Sequence, residues 1–65
     1  MWRDFLFEIV TEDSDLCGER FFVELFDVGY KTALRYALDE FPEEELKYLG
    51  EFTPEEADAL GYDTY

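Results

Sequence analysis

The chain has 65 residues, 48 % of them hydrophobic and 20 % aromatic, and 18 Asp and Glu against five Lys and Arg give a net charge of −13. So small a domain buries only about 60 % of the surface its unfolded chain exposes, so its core must be built from large side chains; seven Phe and five Tyr supply them, where an acidic disordered chain is poor in such residues. A pI near 4.1 excludes direct binding to nucleic-acid phosphates or an anionic membrane, and no apolar run reaches the roughly 18 residues of a membrane span.

Residues 2–11 predict a strand, with Phe5, Phe7 and Ile9 on one face and Asp4 and Glu8 sharing the other with Leu6 and Val10. Residues 12–19 are polar and turn-like. Residues 20–28 predict a second strand with two rows, Phe21, Val23 and Leu25 in one, Phe22 and Phe26 in the other, with Glu24 between those two. Two such runs joined by a polar loop predict an antiparallel pair. The period then changes: Tyr30, Leu34, Ala37, Leu38 and Phe41 form one stripe of a helix, with Lys31, Arg35 and Asp39 opposite. Gly29 opens this helix and Pro42 closes it, because a residue before proline avoids helical geometry.

Leu46, Tyr48 and Phe52 alternate with Lys47 and Glu51, predicting a third, short strand over 46–52 that Gly50 weakens. Thr53-Pro54-Glu55-Glu56 is a strong helix start: Thr53 caps, Pro54 suits the first helical position, and Glu56 completes a capping box. Phe52 and Ala57 occupy the positions of a hydrophobic staple, and Gly61 ends the helix. The tail Tyr62-Asp63-Thr64-Tyr65 packs by its tyrosines or frays. The expected fold is a single α+β domain over residues 1–65, order β-β-α-β-α, with two helices covering one face of a three-stranded antiparallel sheet.

The residues of catalysis are scarce. There is no histidine, Ser14 is the only serine, and Cys17 sits among carboxylates with no histidine to activate it. Neither an enzyme nor a cofactor is expected. Asp13-Ser14-Asp15-Leu16-Cys17-Gly18 followed by Glu24 copies part of the spacing of a calcium loop. Cys17, however, stands where a hard oxygen ligand belongs, and the segment joins strand to strand, so an acidic hairpin loop turning at Gly18 is the preferred reading and no metal is expected. With one cysteine there is no intramolecular disulfide, and the N-terminus has no secretory leader pattern; a cytoplasmic chain is expected, with pairing through Cys17 between chains a lesser reading.

The acidity is uneven. Residues 1–38 carry a net charge of −4, whereas residues 39–58 hold Asp39, Glu40, Glu43, Glu44, Glu45, Glu51, Glu55, Glu56 and Asp58 against Lys47 alone. Complementation of a helix dipole explains Glu55 and Glu56 at a helix start, but it opposes Asp39 and Glu40 at a helix end. Solubility needs a net charge of only about 2–8 in magnitude, and self-repulsion costs stability. A strongly cationic partner accounts for the excess. Asp4, Glu8 and Glu24 form a second candidate patch on the sheet face left open, and Phe41, Tyr48, Phe52, Tyr62 and Tyr65 are candidate apolar anchors, Phe41 and Phe52 belonging first to the core.

Two segments, Asp39-Glu40-Phe41-Pro42-Glu43-Glu44-Glu45 and Thr53-Pro54-Glu55-Glu56-Ala57-Asp58, in a short histidine-free chain of this charge, resemble the small acidic inhibitors encoded by phages, the anti-CRISPR proteins and other DNA mimics. The resemblance is one of class, carried by composition over the whole chain. It implies a non-enzymatic monomer, or weak dimer, that binds the basic nucleic-acid-binding surface of a protein such as a CRISPR-Cas effector and blocks recognition of target DNA. The alternative is an acidic interaction module whose partner reads an exposed sheet edge or the apolar row Leu6, Val10, Phe22 and Phe26.

Overall fold

The two apolar runs pair as antiparallel strands, β1 (Trp2–Ile9) and β2 (Arg20–Phe26), in the computed structural model, which describes residues 1–65. Their register sets Phe5 opposite Val23 and Phe7 opposite Phe21 on one face, and Asp4 opposite Glu24, Leu6 opposite Phe22 and Glu8 opposite Arg20 on the other. Both rows are apolar at the centre, so both faces of this pair must be covered. Helix α1 (Tyr30–Glu40) covers the first, packing Ala33 and Ala37 on Phe5, Phe7, Ile9, Phe21 and Val23, with Leu25, Leu34, Phe41 and Leu46 at the margin. Helix α2 (Pro54–Leu60) covers the second, setting Ala57 on Leu6 and Phe22 with Leu49 and Phe52 beside them.

The expectation that both helices lie on one face is therefore corrected, and the topology supplies the reason. Strand β3 (Leu46–Phe52) pairs with β1 on the side away from β2, and β4 (Asp63–Thr64) pairs with β2, giving the order β3-β1-β2-β4. Since β2, β3 and β4 share one direction, antiparallel to β1, the chain makes two crossovers: β2 to β3 through α1, then β3 to β4 through α2. Two crossovers running in opposite directions keep one hand only if they pass over opposite faces. The sheet is thus four-stranded and mixed rather than three-stranded and antiparallel. Its added strand comes from the tail, where Tyr65 donates its backbone N–H to Phe22 at 2.8 Å and sets its ring edge-on to Phe21 and Phe41, while Tyr62 lies against Phe22 on the other face.

Two further corrections concern rows. In α1 the buried positions are the small Ala33 and Ala37; Tyr30 and Leu38, placed in the apolar stripe, are exposed, and Tyr30 stacks on Tyr48 with ring centroids 4.9 Å apart. In β3 the register slips beside Gly50, whose φ of 145° few other residues adopt, so Tyr48 opposes Phe7 on the α1 face while Phe52 opposes Asp4 on the α2 face. One extra residue in a strand flips the row, as a bulge does. The single alternating row Leu46, Tyr48, Phe52 does not form.

The start of α2 is built as expected. Thr53 Oγ1 accepts from the Glu56 backbone N–H at 3.2 Å, Glu56 Oε1 accepts from the Thr53 N–H at 2.9 Å, and Gly61 closes the helix in the left-handed conformation at φ 76°. These bonds to the ionised carboxylate hold the Glu56 pKa below its ordinary value. Thr53→Ala removes half of this box and is expected to cost about 1 kcal/mol. The loss reads as a lower urea midpoint at pH 7; an unchanged midpoint would mean that the cap adds nothing to stability.

Candidate functional site

The fold gathers at one end of the sheet a set of acids that the sequence scatters. β1 ends there, β2, β3 and β4 begin there, and both helices finish there. The loop after β1 and the connection from α1 to β3 are stitched together: Val10 N–H donates to the Glu45 carbonyl at 2.9 Å, Glu45 N–H to Thr11 Oγ1 at 2.7 Å, and Ser14 Oγ to Glu44 Oε1 at 2.7 Å. Glu12, Asp13, Asp15 and Glu19 from the loop thus join Asp39, Glu40, Glu43, Glu44 and Glu45, which places nine of the chain's 18 carboxylates at one pole.

All of these are exposed except Glu44, which is half-buried, with one oxygen on Ser14 and the other shielded without a partner. Glu44 therefore holds the pole together, whereas Glu43 and Glu45 face outward. The backbone adds to the field. A helix C-terminus carries roughly half a negative charge, and neither helix has a base in its last turn. At the margin a hollow of about 240 Å³ is floored by Ile9, Phe21 and Phe41 and rimmed by Glu19, Arg20, Asp63 and Tyr65.

The other expected site residues do not join this pole. Glu51 is paired with Arg3 at 3.2 Å at the far part of β3, and Glu55 and Glu56 occupy the first turn of α2, at the opposite end of the sheet. Asp58 lies further along α2, within electrostatic reach of Asp4. The second patch of Asp4, Glu8 and Glu24 does not stand on an open sheet face, because α2 lies over that face. Asp4 is only 2 % exposed, and Glu8 is tied to Arg20 at 2.9 Å. Burial first, then the charge of the Glu24 carboxylate opposite and that of Asp58, pushes the Asp4 pKa from 3.8 up to about 6.

Leu6 and Phe22 are likewise buried under α2, so the row Leu6, Val10, Phe22 and Phe26 offers no continuous apolar surface; only Phe26 is exposed, paired with Trp2. Glu24 belongs to β2 opposite Asp4, away from Asp13 and Asp15 in the loop, and the calcium-loop spacing is not assembled into a ligand set. Cys17 is exposed within the loop. No helix is long and apolar enough to cross a membrane.

Comparison with known proteins returned no matching family model, no matching curated relative and no matching solved structure. Sequence reasoning missed the loop acids Glu12, Asp13, Asp15 and Glu19, and it missed the exposed Trp2–Phe26 pair. The signal for the former was the hairpin itself: an antiparallel β1–β2 pair with β3 beside β1 must bring the loop of the hairpin next to the residues that precede β3.

Proposed function

We propose that this chain is a non-enzymatic, monomeric inhibitor that occupies the nucleic-acid-binding surface of a basic protein, and that a CRISPR-Cas effector, to which its class resemblance points, is the first target to test. The observation that carries this reading is the acidic pole. Asp39 and Glu40 sit at the end of α1, where the helix dipole opposes them, and they share that end of the sheet with the loop acids; the bases there are Arg35, one turn before Asp39, Arg20, tied to Glu8, and Lys47 at the start of β3. Such an arrangement costs folding energy, and a cationic surface returns it.

Charge density supports the same reading. The molecule measures 36 Å along its longest axis and carries −13, while a duplex of that length carries roughly 21 charges at about one per 1.7 Å. A rigid sheet with a helix on each face presents these charges at a lower entropic cost than an acidic tail does.

The test is competition on a purified CRISPR effector. The full chain should bind, duplex DNA should displace it, and raising the salt from low to physiological concentration should weaken it. Simultaneous binding of DNA and the chain would overturn the mimicry. A second reading, an interaction module that accepts a partner strand, rests on β3, whose outer edge has no neighbour in the sheet. Binding that ignores salt and is undisturbed by DNA would favour it.

A further inference from the structure

The end of the sheet away from the acidic pole carries the other unusual surface. Trp2 and Phe26 face each other across β1 and β2, each 53 % exposed, with ring centroids 5.4 Å apart. Next to them along the same face are Asp4 and Glu24, followed by Asp58 from α2. The Oδ2 oxygen of Asp4 is buried and has no hydrogen-bond partner. No cation answers these three carboxylates. None of the ion pairs includes one of them: Arg3 is with Glu51, Arg20 is with Glu8, and the N-terminal ammonium, next to Trp2 on the side away from Asp4, is held by Asp27; on β3 the residue opposite Asp4 is the apolar Phe52.

We propose that the Trp2–Phe26 pair and the Asp4, Glu24 and Asp58 carboxylates beside it form a receptor for one arginine side chain of a protein partner. The inference rests on the reading of that partner as basic and adds a second contact at the opposite end of the molecule. The chemistry selects arginine. A guanidinium is planar, so it stacks on the face of an indole or phenyl ring and still directs its N–H fork to carboxylates, whereas the lysine ammonium is a compact, strongly hydrated point charge. An exposed aromatic pair next to unpaired carboxylates offers both contacts at once. The guanidinium meets Glu24 and Asp58 at the surface; its charge relieves the repulsion around Asp4, and Asp4 then releases its proton.

The experiment is a titration of the full chain with N-acetyl-arginine amide, followed by NMR at the Trp2 indole N–H and at the Asp4 carboxyl carbon. N-acetyl-citrulline amide, neutral and of the same shape, and N-acetyl-lysine amide are run beside it. Arginine should shift the indole saturably, lysine should bind more weakly, citrulline should do nothing, and the Asp4 titration midpoint should fall below its free value under saturating arginine. Trp2→Ala should weaken arginine by about tenfold, as the loss of one partly desolvated cation–π contact does. Trp2 is half exposed, so that variant keeps the core, and Glu24→Gln serves as a second, charge-only variant that must also weaken arginine.

An equal response to citrulline, an unsaturable shift, or an Asp4 midpoint that arginine leaves in place would overturn the receptor. The two readings fail separately. If DNA-competed binding to the effector persists without this titration, the receptor alone falls; if the titration persists while the competition is absent, the acidic-pole reading alone falls.

Discussion

Exchanging Glu12, Asp13, Glu43 and Glu45 together for lysine is expected to weaken binding to the proposed basic partner by about 100-fold, which corresponds to roughly 0.7 kcal/mol for each residue exchanged. The four are chosen by geometry. All are exposed at the acidic pole, two on the hairpin loop and two on the α1–β3 connection, and none has an ion-pair or side-chain hydrogen-bond role in the fold. Glu44 is left alone because Ser14 holds it and its second oxygen is shielded, so a lysine there would disturb the seam between the two loops. Each exchange adds two units of charge and the set brings the net charge from −13 to −5, which relieves self-repulsion instead of adding to it. Circular dichroism should therefore be unchanged while calorimetric affinity for the effector falls and its salt dependence flattens. Glu55→Lys, on the first turn of α2 and away from the pole, is the per-charge control. If that single exchange costs as much as any one of the four, the whole-molecule field carries the binding and the pole is not its centre.

The parts of the fold legible in the sequence were those governed by local signals. The β1 and β2 runs, the α1 stretch between Gly29 and Pro42, and the Thr53–Glu56 capping box each have a neighbourhood of a few residues that determines them, and all four are present. What stayed hidden depended on pairing at a distance. The helices' placement on opposite faces follows from strand order, which no local pattern reveals; the apolar rows on both sides of β2, with Phe21 and Val23 on one and Phe22 on the other, are equally compatible in sequence with one face left open to a partner. The slip beside Gly50 moved Phe52 to the α2 face, and a glycine at a bulge looks in sequence like a glycine that merely weakens a strand. The tail became a strand because β2 had a free edge to pair with, a property of the assembled sheet. The candidate site shows the same division. Asp39 to Glu45 were visible as a charge run, but their loop partners lay in a segment whose acidity was offset in the sum by Arg3, Arg20, Lys31 and Arg35, of which the fold carries Arg3 and Lys31 to the opposite end of the sheet. Segment sums average over residues that folding separates.

The second large effect concerns Asp4, and its sign runs against ordinary acid denaturation. Its native pKa of about 6 lies above the 3.8 of the exposed group, so between these values the native state holds a proton that the unfolded chain has released. Stability is then full below pH 3.8 for this group, falls as the pH rises toward 6, and levels off above it. The shift is worth about 3 kcal/mol at neutral pH, a large share of the roughly 3–10 kcal/mol expected for a chain of this length. Asp4→Asn, whose amide keeps the shape and can donate to Glu24, is expected to recover up to that amount at pH 7.5 and almost none near pH 4. Urea midpoints of both proteins at pH 4.5 and 7.5 measure it: the wild type should gain stability on acidification more steeply than the variant. Repulsion among the remaining acids acts on both chains, so the difference between their slopes isolates Asp4. Parallel slopes would show that the residue is solvated and unshifted. Asn cannot ionise, and the same substitution should weaken the arginine titration while strengthening the fold. A residue whose replacement improves stability and impairs cation binding is one whose buried charge serves the contact with a partner and opposes the packing of α2 on the sheet.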